Sequence, residues 1–255
     1  MLSIITICYN SEKTISRTLD SILEQIYIPK QCIIIDGCSN DKTISIITDY
    51  QKEFRNKNID LIFISEKDTG IYDAMNKGIS YVTQEWIHFL NSDDYYANKY
   101  VLEIIEEKLK TTDADILYGQ LIKIKSNTQS VLIPPKEKKI KLNALISCPI
   151  YQPATFFRSS LFKKKYFFDT SYRISADYKL FLEMLHDNIK FQYIPVFITN
   201  FDEGGISSTN KNTLTYKEDL RVLKEIGKPT LFMRFKHTPL LYKPLILIFQ
   251  IISKF

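Results

Sequence analysis

Short apolar runs alternate with segments of helical periodicity in the N-terminal part of the chain, and this alternation constrains the fold more than any other feature. Four runs predict buried strands: LSIITIC (2–8), CIIID (32–36), IDLIFIS (59–65) and EWIHFL (85–90). The segments between them predict helices, with apolar residues at Ile15, Leu19, Ile22, Leu23 and Ile26, then at Ile44, Ile47 and Tyr50, and with a third helix over roughly 71–82. Strands that alternate with helices predict an α/β fold with a mostly parallel sheet covered on both faces.

The C-terminal half has a less regular pattern. It predicts a helix near 98–110, a strand DILYGQLIKIK that pairs with SVLIP around a turn near Asn127, and a helix over KLNALIS. A good amphipathic helix over 175–187, with Ser175 as its N-cap, precedes a strand FQYIPVFITNF. Near the N-terminus, Asn10 or Ser11 is expected to cap the first helix.

Polar residues follow each of the four predicted parallel strands. In an open parallel sheet the carboxyl ends of the strands share one edge, where ligands bind. We therefore expect one rim of the sheet to carry a set of candidate ligand groups: Tyr9, Asp36, Asp68 and the adjacent Asp93 and Asp94, with Asn76 and Lys77 in the helix after the third strand.

The adjacent carboxylates of Asp93 and Asp94 repel each other, so a solvated loop or a cation must accommodate them. Mg²⁺ and Mn²⁺ prefer oxygen ligands and neutralise a diphosphate leaving group. The chain has only 7 glycines and contains neither GxxxxGK[ST] nor GxGxxG. A metal ion is therefore the natural way to hold a nucleoside diphosphate here. Asp36 is placed to accept hydrogen bonds from a base or ribose, and the ring of Tyr9 to stack on a base.

The basic charge of the chain lies at its C-terminus. The net charge is +5, and residues 211–255 alone contain nine Lys/Arg and three Asp/Glu. This distribution disfavours nucleic-acid binding by the body of the protein. The apolar run 244–252 is too short to span a bilayer, which needs about 20 apolar residues. The basic, apolar tail predicts attachment to a membrane interface, with a terminal helix packed on the core as the alternative.

The first residues, MLSIITICYN, enter a strand without a preceding basic segment, so no signal peptide is expected. The four cysteines lack CxxC spacing and are expected to be reduced thiols. Both observations predict a cytoplasmic protein. The histidines show neither triad nor zinc spacing.

Several longer motifs occur in a fixed order: TICYN, IDGCSNDKT, EKDTGIYDAMNKGI and FLNSDD, then PIYQPATFFRSSLF, ISADYKLFLEML and GGIS. In these motifs the chain resembles family 2 glycosyltransferases of the GT-A fold over about residues 1–210. The resemblance implies a Rossmann-like GT-A domain with a nucleotide-sugar half at about 1–96, an acceptor half at about 97–210, and a C-terminal helical appendage at 211–255. GIYDAMNKGI is especially similar to bacterial enzymes that build O-antigen, capsule or colanic-acid-type polysaccharides.

The resemblance also implies roles for individual residues. Asp36 would hydrogen-bond the base, expected to be uracil, while Asp93 contacts the ribose or sugar and Asp94 binds Mn²⁺ or Mg²⁺ on the diphosphate. Asp177 would be the catalytic base that deprotonates the acceptor hydroxyl for inverting, in-line attack. Its alternative is an aspartate that interacts with the helix dipole. The other nucleotide-sugar-binding candidates are Tyr9, Asn10, Asp68, Asn76 and Lys77.

Two positions depart from the family pattern. Relatives often read HQATF where this chain has Tyr151 and Gln152, which we assign to the acceptor or diphosphate region. A tyrosine binds divalent ions poorly, so metal ligation by the protein is expected to rest mainly on Asp94. Met75 stands where many members have arginine; either Lys77 compensates for it or Lys77 is an exposed helix residue.

The sequence as a whole predicts a metal-dependent transferase that moves a hexose from a UDP-sugar to a glycan acceptor, carried on polyprenyl diphosphate at the inner face of the cell membrane. A nucleotidyltransferase also places metal-binding acids at sheet ends, but TICYNSEKT is not the glycine- and basic-rich phosphate loop it needs. A non-catalytic nucleotide- or glycan-binding module is the other alternative. The joint presence of Asp36, Asp93, Asp94 and Asp177 argues against it.

Overall fold

A computed structural model describes residues 1–125, 128–137, 139–140, 144, 148–202 and 214–227. The helices within these ranges include α1 (Ile15–Leu23), α2 (Thr43–Asn56), α3 (Ile71–Ser80), α4 (Val101–Thr111), α5 (Ser159–Lys164), α6 (Ala176–His186) and α7 (Leu214–Glu225), with a 3-10 turn at Gln152–Ala154. The strands are β1 (Leu2–Cys8), β2 (Gln31–Asp36), β3 (Asp60–Ser65), β4 (Trp86–Phe89), β5 (Tyr95–Tyr96), β6 (Ile116–Lys125), β7 (Thr128–Leu132), β8 (Thr155–Arg158) and β9 (Phe191–Asp202).

These strands form one sheet in the order β3-β2-β1-β4-β8-β6-β9-β5, with β7 paired to β6 beside this path. Strands β1 to β4 are parallel, as are β6 and β9. Strand β8 lies antiparallel between β4 and β6, and β5 lies antiparallel to β9. The carboxyl ends of β1 to β4 therefore share one edge, as predicted for a mostly parallel sheet.

Two hydrophobic cores cover the two faces of the sheet because successive strand residues point to opposite sides. In β1, Ile5 and Ile7 enter one core, which α3 and α6 complete. Leu2 and Ile4 enter the other core, which α1, α2 and α4 complete. Burial on both faces explains why the parallel strands are continuous apolar runs rather than alternating ones.

The elements predicted for the first hundred residues are confirmed, and so is the β6–β7 pairing. Ile26 is an exception, because α1 ends at Leu23 and Ile26 is exposed beyond it. Two predicted caps are wrong. Helix α1 begins at Ile15 after Thr14, whose side chain makes no capping hydrogen bond, and Asn10 instead adopts a left-handed φ of 49° in the preceding loop. Ser175 does occupy the N-cap position of α6, but its side chain makes no capping bond to that helix.

Strand β8 was not predicted. Its sequence, TFFR, is short and follows the 3-10 turn, so it carries little periodic signal. It nevertheless joins the two halves of the sheet, because it pairs with β4 on one side and β6 on the other.

Helix α7 falls inside the predicted tail, yet it is part of the packed fold. Val222 and Leu223 are fully buried in the core that α6 also completes. The fold therefore continues beyond the predicted boundary at residue 210. The predicted KLNALIS helix, the turn at Asn127, the GGIS motif at 204–207 and the apolar run 244–252 lie outside the described residues, apart from Ala144. In the part of the chain that is described, no helix combines the length and hydropathy needed to cross a membrane.

Candidate active site

Three loops meet at the carboxyl ends of β1, β2 and β3. A Cβ atom at Gly37 would lie 2.5 Å from Asp68 Oδ2 and 3.3 Å from Tyr9 Cδ2, so the missing side chain is what lets these loops approach. The ring of Tyr9 remains 57% exposed. The structure thus brings together two predicted nucleotide-binding residues, Tyr9 and Asp68. The side chain of Tyr9 remains accessible to a ligand from solvent.

Asp36, at the end of β2, is fully buried, and its carboxylate is used inside the fold. Oδ2 accepts hydrogen bonds from the Ser39 N–H (3.0 Å) and the Ser65 hydroxyl (2.6 Å), while Oδ1 accepts from the Ser39 hydroxyl. The Cys8 thiol lies 3.7 Å from Oδ1 as a further weak donor. The predicted contact of Asp36 with a base would have to compete with these bonds.

Asn10, Asn76 and Lys77 also make hydrogen bonds within the protein. The Asn10 side chain accepts from the Asn40 N–H (3.0 Å) and thereby ties the β1 loop to the β2 loop. The Asn76 amide makes both of its bonds to the backbone of Phe168, at 2.7 and 2.9 Å. Lys77 donates to the Lys67 carbonyl (2.6 Å) and pairs with Glu66. All three side chains therefore have hydrogen-bond partners within the protein.

Asp68 is a half-buried carboxylate at the same edge of the sheet. Its Oδ1 accepts the Gly70 N–H at 3.0 Å, and Gly70 has a φ of 139° that favours glycine. Burial is the largest cause that raises the pKa of Asp68, and the Gly70 N–H opposes it. Met75, by contrast, is buried in the core, so position 75 offers no group to a ligand.

Asp94, beyond the end of β4, is fully buried, and neither of its carboxylate oxygens makes a hydrogen bond of ordinary geometry among the described residues. Burial is the largest cause that raises its pKa well above the ordinary value, and Asp93 adds to the effect. The Asp202 backbone N–H opposes the shift but is not close or aligned enough to count as a hydrogen bond. A buried carboxylate without a partner is costly, which makes Asp94 a candidate ligand-binding group.

The backbone around Asp94 is held firmly. The Thr18 hydroxyl donates to the Asp94 carbonyl at 2.7 Å, and an Arg17 amino group donates to the Asp93 carbonyl at 2.9 Å. The same amino group pairs with Asp202 at 3.1 Å, and the guanidinium lies over the Tyr95 ring. Sequence reasoning missed Arg17, because a lone basic residue on a helix gives no signal before the fold places it against the Asp93 carbonyl and the Asp202 carboxylate.

A divalent cation fits the residues at this edge. The described residues contain no cluster of three or more His, Cys, Asp or Glu side chains suited to a metal. Mg²⁺ keeps several waters and needs only one or two carboxylates together with substrate phosphates, so such a cluster is not required. The two unpartnered oxygens of Asp94 supply the kind of ligand that a hard cation prefers.

Asp177, in the first turn of α6, lies half-buried against α3 from the other half of the chain. Its Oδ1 accepts the Tyr178 N–H at 2.8 Å, and the Tyr72 hydroxyl lies 3.3 Å away. Burial is the largest cause that raises the pKa of Asp177 to about 6; Asp219 raises it further, and the two hydrogen-bond donors oppose the shift. A carboxyl with this pKa is suited to accept a proton near neutral pH.

Tyr151 and Gln152 lie at the 3-10 turn before β8. The Tyr151 carbonyl accepts the Ala154 N–H and the Thr155 hydroxyl, and burial raises the pKa of the Tyr151 phenol. Gln152 is 5% exposed, and its Nε2 has no hydrogen-bond partner among the described residues. An unpaired buried donor suits a ligand oxygen, in line with the predicted acceptor or diphosphate region.

A family model matches more than half of the chain. Residues 3–167 match Glycosyl transferase family 2. A PGL/p-HBAD biosynthesis glycosyltransferase of Mycobacterium bovis is 27% identical over 226 residues, which cover 88% of this chain and 84% of that protein.

Among solved structures, S. aureus TarS in complex with UDP-GlcNAc has a TM-score of 0.69 at 22% identity, covering 88% of this chain and 65% of that one. A mannosyltransferase from Pyrobaculum calidifontis in complex with GDP-Man and Mn²⁺ has a TM-score of 0.59 at 16% identity, covering 93% of this chain and 63% of that one. The chain thus spans somewhat less than two thirds of these two structures. At such identities the similarity shows a shared fold.

Proposed function

Because the chain belongs to glycosyl transferase family 2 and is a glycosyltransferase, we propose that it transfers a hexose from a UDP-sugar to a glycan acceptor with inversion, and that the reaction depends on Mn²⁺ or Mg²⁺. One observation carries the proposal: the buried, unpartnered carboxylate of Asp94 at the sheet edge where ligands bind. The exposed ring of Tyr9 at the same edge suits a stacked base.

Asp94 would hold the divalent ion, and Asp93 beside it would contact the ribose or the sugar. When bound, such an ion neutralises the charge that develops on the departing diphosphate. The complex of TarS with UDP-GlcNAc supports a uridine donor, and the complex of the mannosyltransferase with GDP-Man makes a guanosine donor the competing choice.

Asp177 acts as general base in this proposal. It takes the proton of the acceptor hydroxyl as that oxygen forms a bond to the anomeric carbon. The bond between that carbon and the diphosphate oxygen breaks, and the diphosphate leaves with the electron pair on the face opposite the attack. One displacement inverts the configuration and needs no enzyme nucleophile.

The acceptor is proposed to be a glycan on polyprenyl diphosphate, in the assembly of O-antigen or another surface polysaccharide. The protein would meet it as a peripheral protein at the inner face of the cell membrane, through the basic, apolar segment after α7. Removal of residues 234–255 should abolish binding to vesicles containing anionic phospholipid and leave UDP binding unchanged. Vesicle binding by the truncated protein, or loss of its UDP binding, would count against this attachment.

Calorimetric titration with UDP, GDP and CMP, each with Mn²⁺ and with EDTA, tests the donor. We expect UDP-selective binding that EDTA weakens strongly. Preference for GDP would reassign the donor, and equal binding in EDTA would remove the metal from the mechanism. Release of UDP from UDP-sugars, without pyrophosphate, would separate a glycosyltransferase from a nucleotidyltransferase, and absence of turnover would favour a binding module.

A further inference from the structure

Helix α7 holds the segment that leads into Asp177. Glu218, on α7, accepts hydrogen bonds from three successive backbone amides: Arg173 N–H at 2.9 Å, Ile174 N–H at 2.9 Å and Ser175 N–H at 3.0 Å. Both Glu218 and its neighbour Asp219 are buried. A buried carboxylate that satisfies three consecutive amides fixes the path of the backbone just before α6 begins.

Asp219 adds a second attachment at the same point. Its Oδ1 accepts the Ser175 hydroxyl at 2.7 Å, which explains why Ser175 does not cap α6 with its own side chain. Further along α7, Arg221 contacts Ser171, and Glu225 pairs with Lys179 on α6. Contacts from α7 thus extend from Ser171, just before the segment 173–175, to Lys179 on α6.

A short series of hydrogen bonds connects Glu218 to the predicted base, Asp177. The Ile174 N–H donates to Glu218, and the Ile174 carbonyl oxygen accepts a hydrogen bond from the Tyr72 hydroxyl. The same hydroxyl lies 3.3 Å from Asp177 Oδ1. Since the tyrosine has a single hydroxyl proton, the position of Ile174 decides how that proton is shared between the carbonyl and the carboxylate. Displacement of the segment would change both the place and the hydrogen bonding of Asp177.

We propose that Glu218 and Asp219 are positioning residues for Asp177, and that α7 is therefore part of the catalytic domain. This inference rests on the proposed role of Asp177 as general base. Groups that face Asp177 or its partner Tyr72 include Asp219 from α7 and Cys148. Among them Asp219 bears the formal negative charge, so its removal should make Asp177 easier to ionise.

The test measures UDP release from UDP-glucose, UDP-galactose or UDP-GlcNAc with water as acceptor, using whichever donor the wild type hydrolyses fastest. Glu218→Gln keeps the shape but loses the charge and one acceptor oxygen, and we expect kcat to fall about tenfold to a hundredfold. The Kd for UDP should stay within about twofold, because the donor edge lies in the other half of the chain. Glu103→Gln, the same change at an exposed site on α4, is the control and should match the wild type.

Asp219→Asn separates positioning from simple support of the fold. It should move the acidic limb of the kcat profile to lower pH, because a negative charge beside Asp177 is gone. A limb that does not move, a kcat for Glu218→Gln within about twofold of the wild type, or a parallel loss of UDP affinity would each overturn the inference. If the wild type releases no UDP, or Asp177→Asn is fully active, the proposed function fails instead.

Discussion

Asp36 and Asp94 stand near the ends of two parallel strands of the same sheet, and both are fully buried, yet their surroundings are opposite. Asp36 accepts hydrogen bonds from the N–H and the hydroxyl of Ser39 and from the Ser65 hydroxyl. Asp94 accepts none of ordinary geometry among the described residues. Burial of a carboxylate is tolerable when hydrogen bonds compensate for lost water, and costly when they do not.

The contrast distinguishes a carboxylate that builds the edge of the sheet from one that is kept for a ligand. The bonds of Asp36 close the loop after β2 through Ser39 and tie the end of β2 to the end of β3 through Ser65. The oxygens of Asp94 remain available, while Thr18 and Arg17 hold only its backbone and that of Asp93. Sequence position alone does not separate the two residues, because Asp36 ends one apolar strand and Asp94 comes shortly after another.

Asp94→Asn should have the largest effect. A divalent cation held by Asp94 would contribute several kcal/mol to diphosphate binding, so loss of the charge should weaken UDP binding in Mn²⁺ by about a hundredfold or more and remove turnover. Binding in EDTA should match that of the wild type. The measurement is calorimetry of both proteins with and without Mn²⁺. If Mn²⁺ strengthens UDP binding to the variant as much as to the wild type, Asp94 is not the metal ligand.

Asp177 adds a third case to the comparison of Asp36 and Asp94, because its carboxylate is half-buried and has hydrogen-bond donors on one oxygen. The variant Asp177→Asn tests it. Loss of a general base should lower kcat by about a hundredfold to ten-thousandfold, with UDP affinity unchanged. Because the base must be ionised and burial raises its pKa to about 6, wild-type kcat should rise as pH increases through 6. Steady-state rates between pH 5 and about pH 8 check this. Normal turnover by the variant, or a flat wild-type profile, would remove Asp177 from the role.

Much of the fold was predictable because its signal is local. Strands β1, β2 and β4 are buried, β3 at the edge of the sheet is partly buried, and all four read as continuous apolar runs. The helices between them show regular spacing. Strand β8 carries no such signal, since its antiparallel place between β4 and β6 is decided by partners distant in sequence. Helix α7 was grouped with the basic tail because net charge does not reveal that Val222 and Leu223 are buried.

The residues of the candidate site were predictable from strand ends and from motif resemblance, but their contacts were not. Motif resemblance marked Asp94 and Asp177, and their roles stay predictions. The structure shows a fully buried carboxylate at Asp94 and a half-buried one beside Tyr72 at Asp177. The same reasoning marked Asn76 and Lys77, whose bonds to Phe168 and Lys67 depend on the folded chain. Arg17 and Glu218 act through contacts with residues far away in sequence, Asp93 and the segment 173–175, so no local pattern announces them.

Asp36→Asn gives the smallest expected effect, and it is measured on stability in the absence of metal. In that measurement we expect the change at Asp36 to matter more than the change at Asp94. An asparagine at position 36 places an amide donor against groups that already donate, which should cost about 1–3 kcal/mol of unfolding free energy. Asp94→Asn should cost nothing or stabilise the protein, since it removes a buried charge that lacks a partner. Urea unfolding in EDTA measures both variants against the wild type. Equal destabilisation by the two changes would mean that Asp94 has a stabilising partner after all, and the argument that it is kept for a ligand would lose its basis.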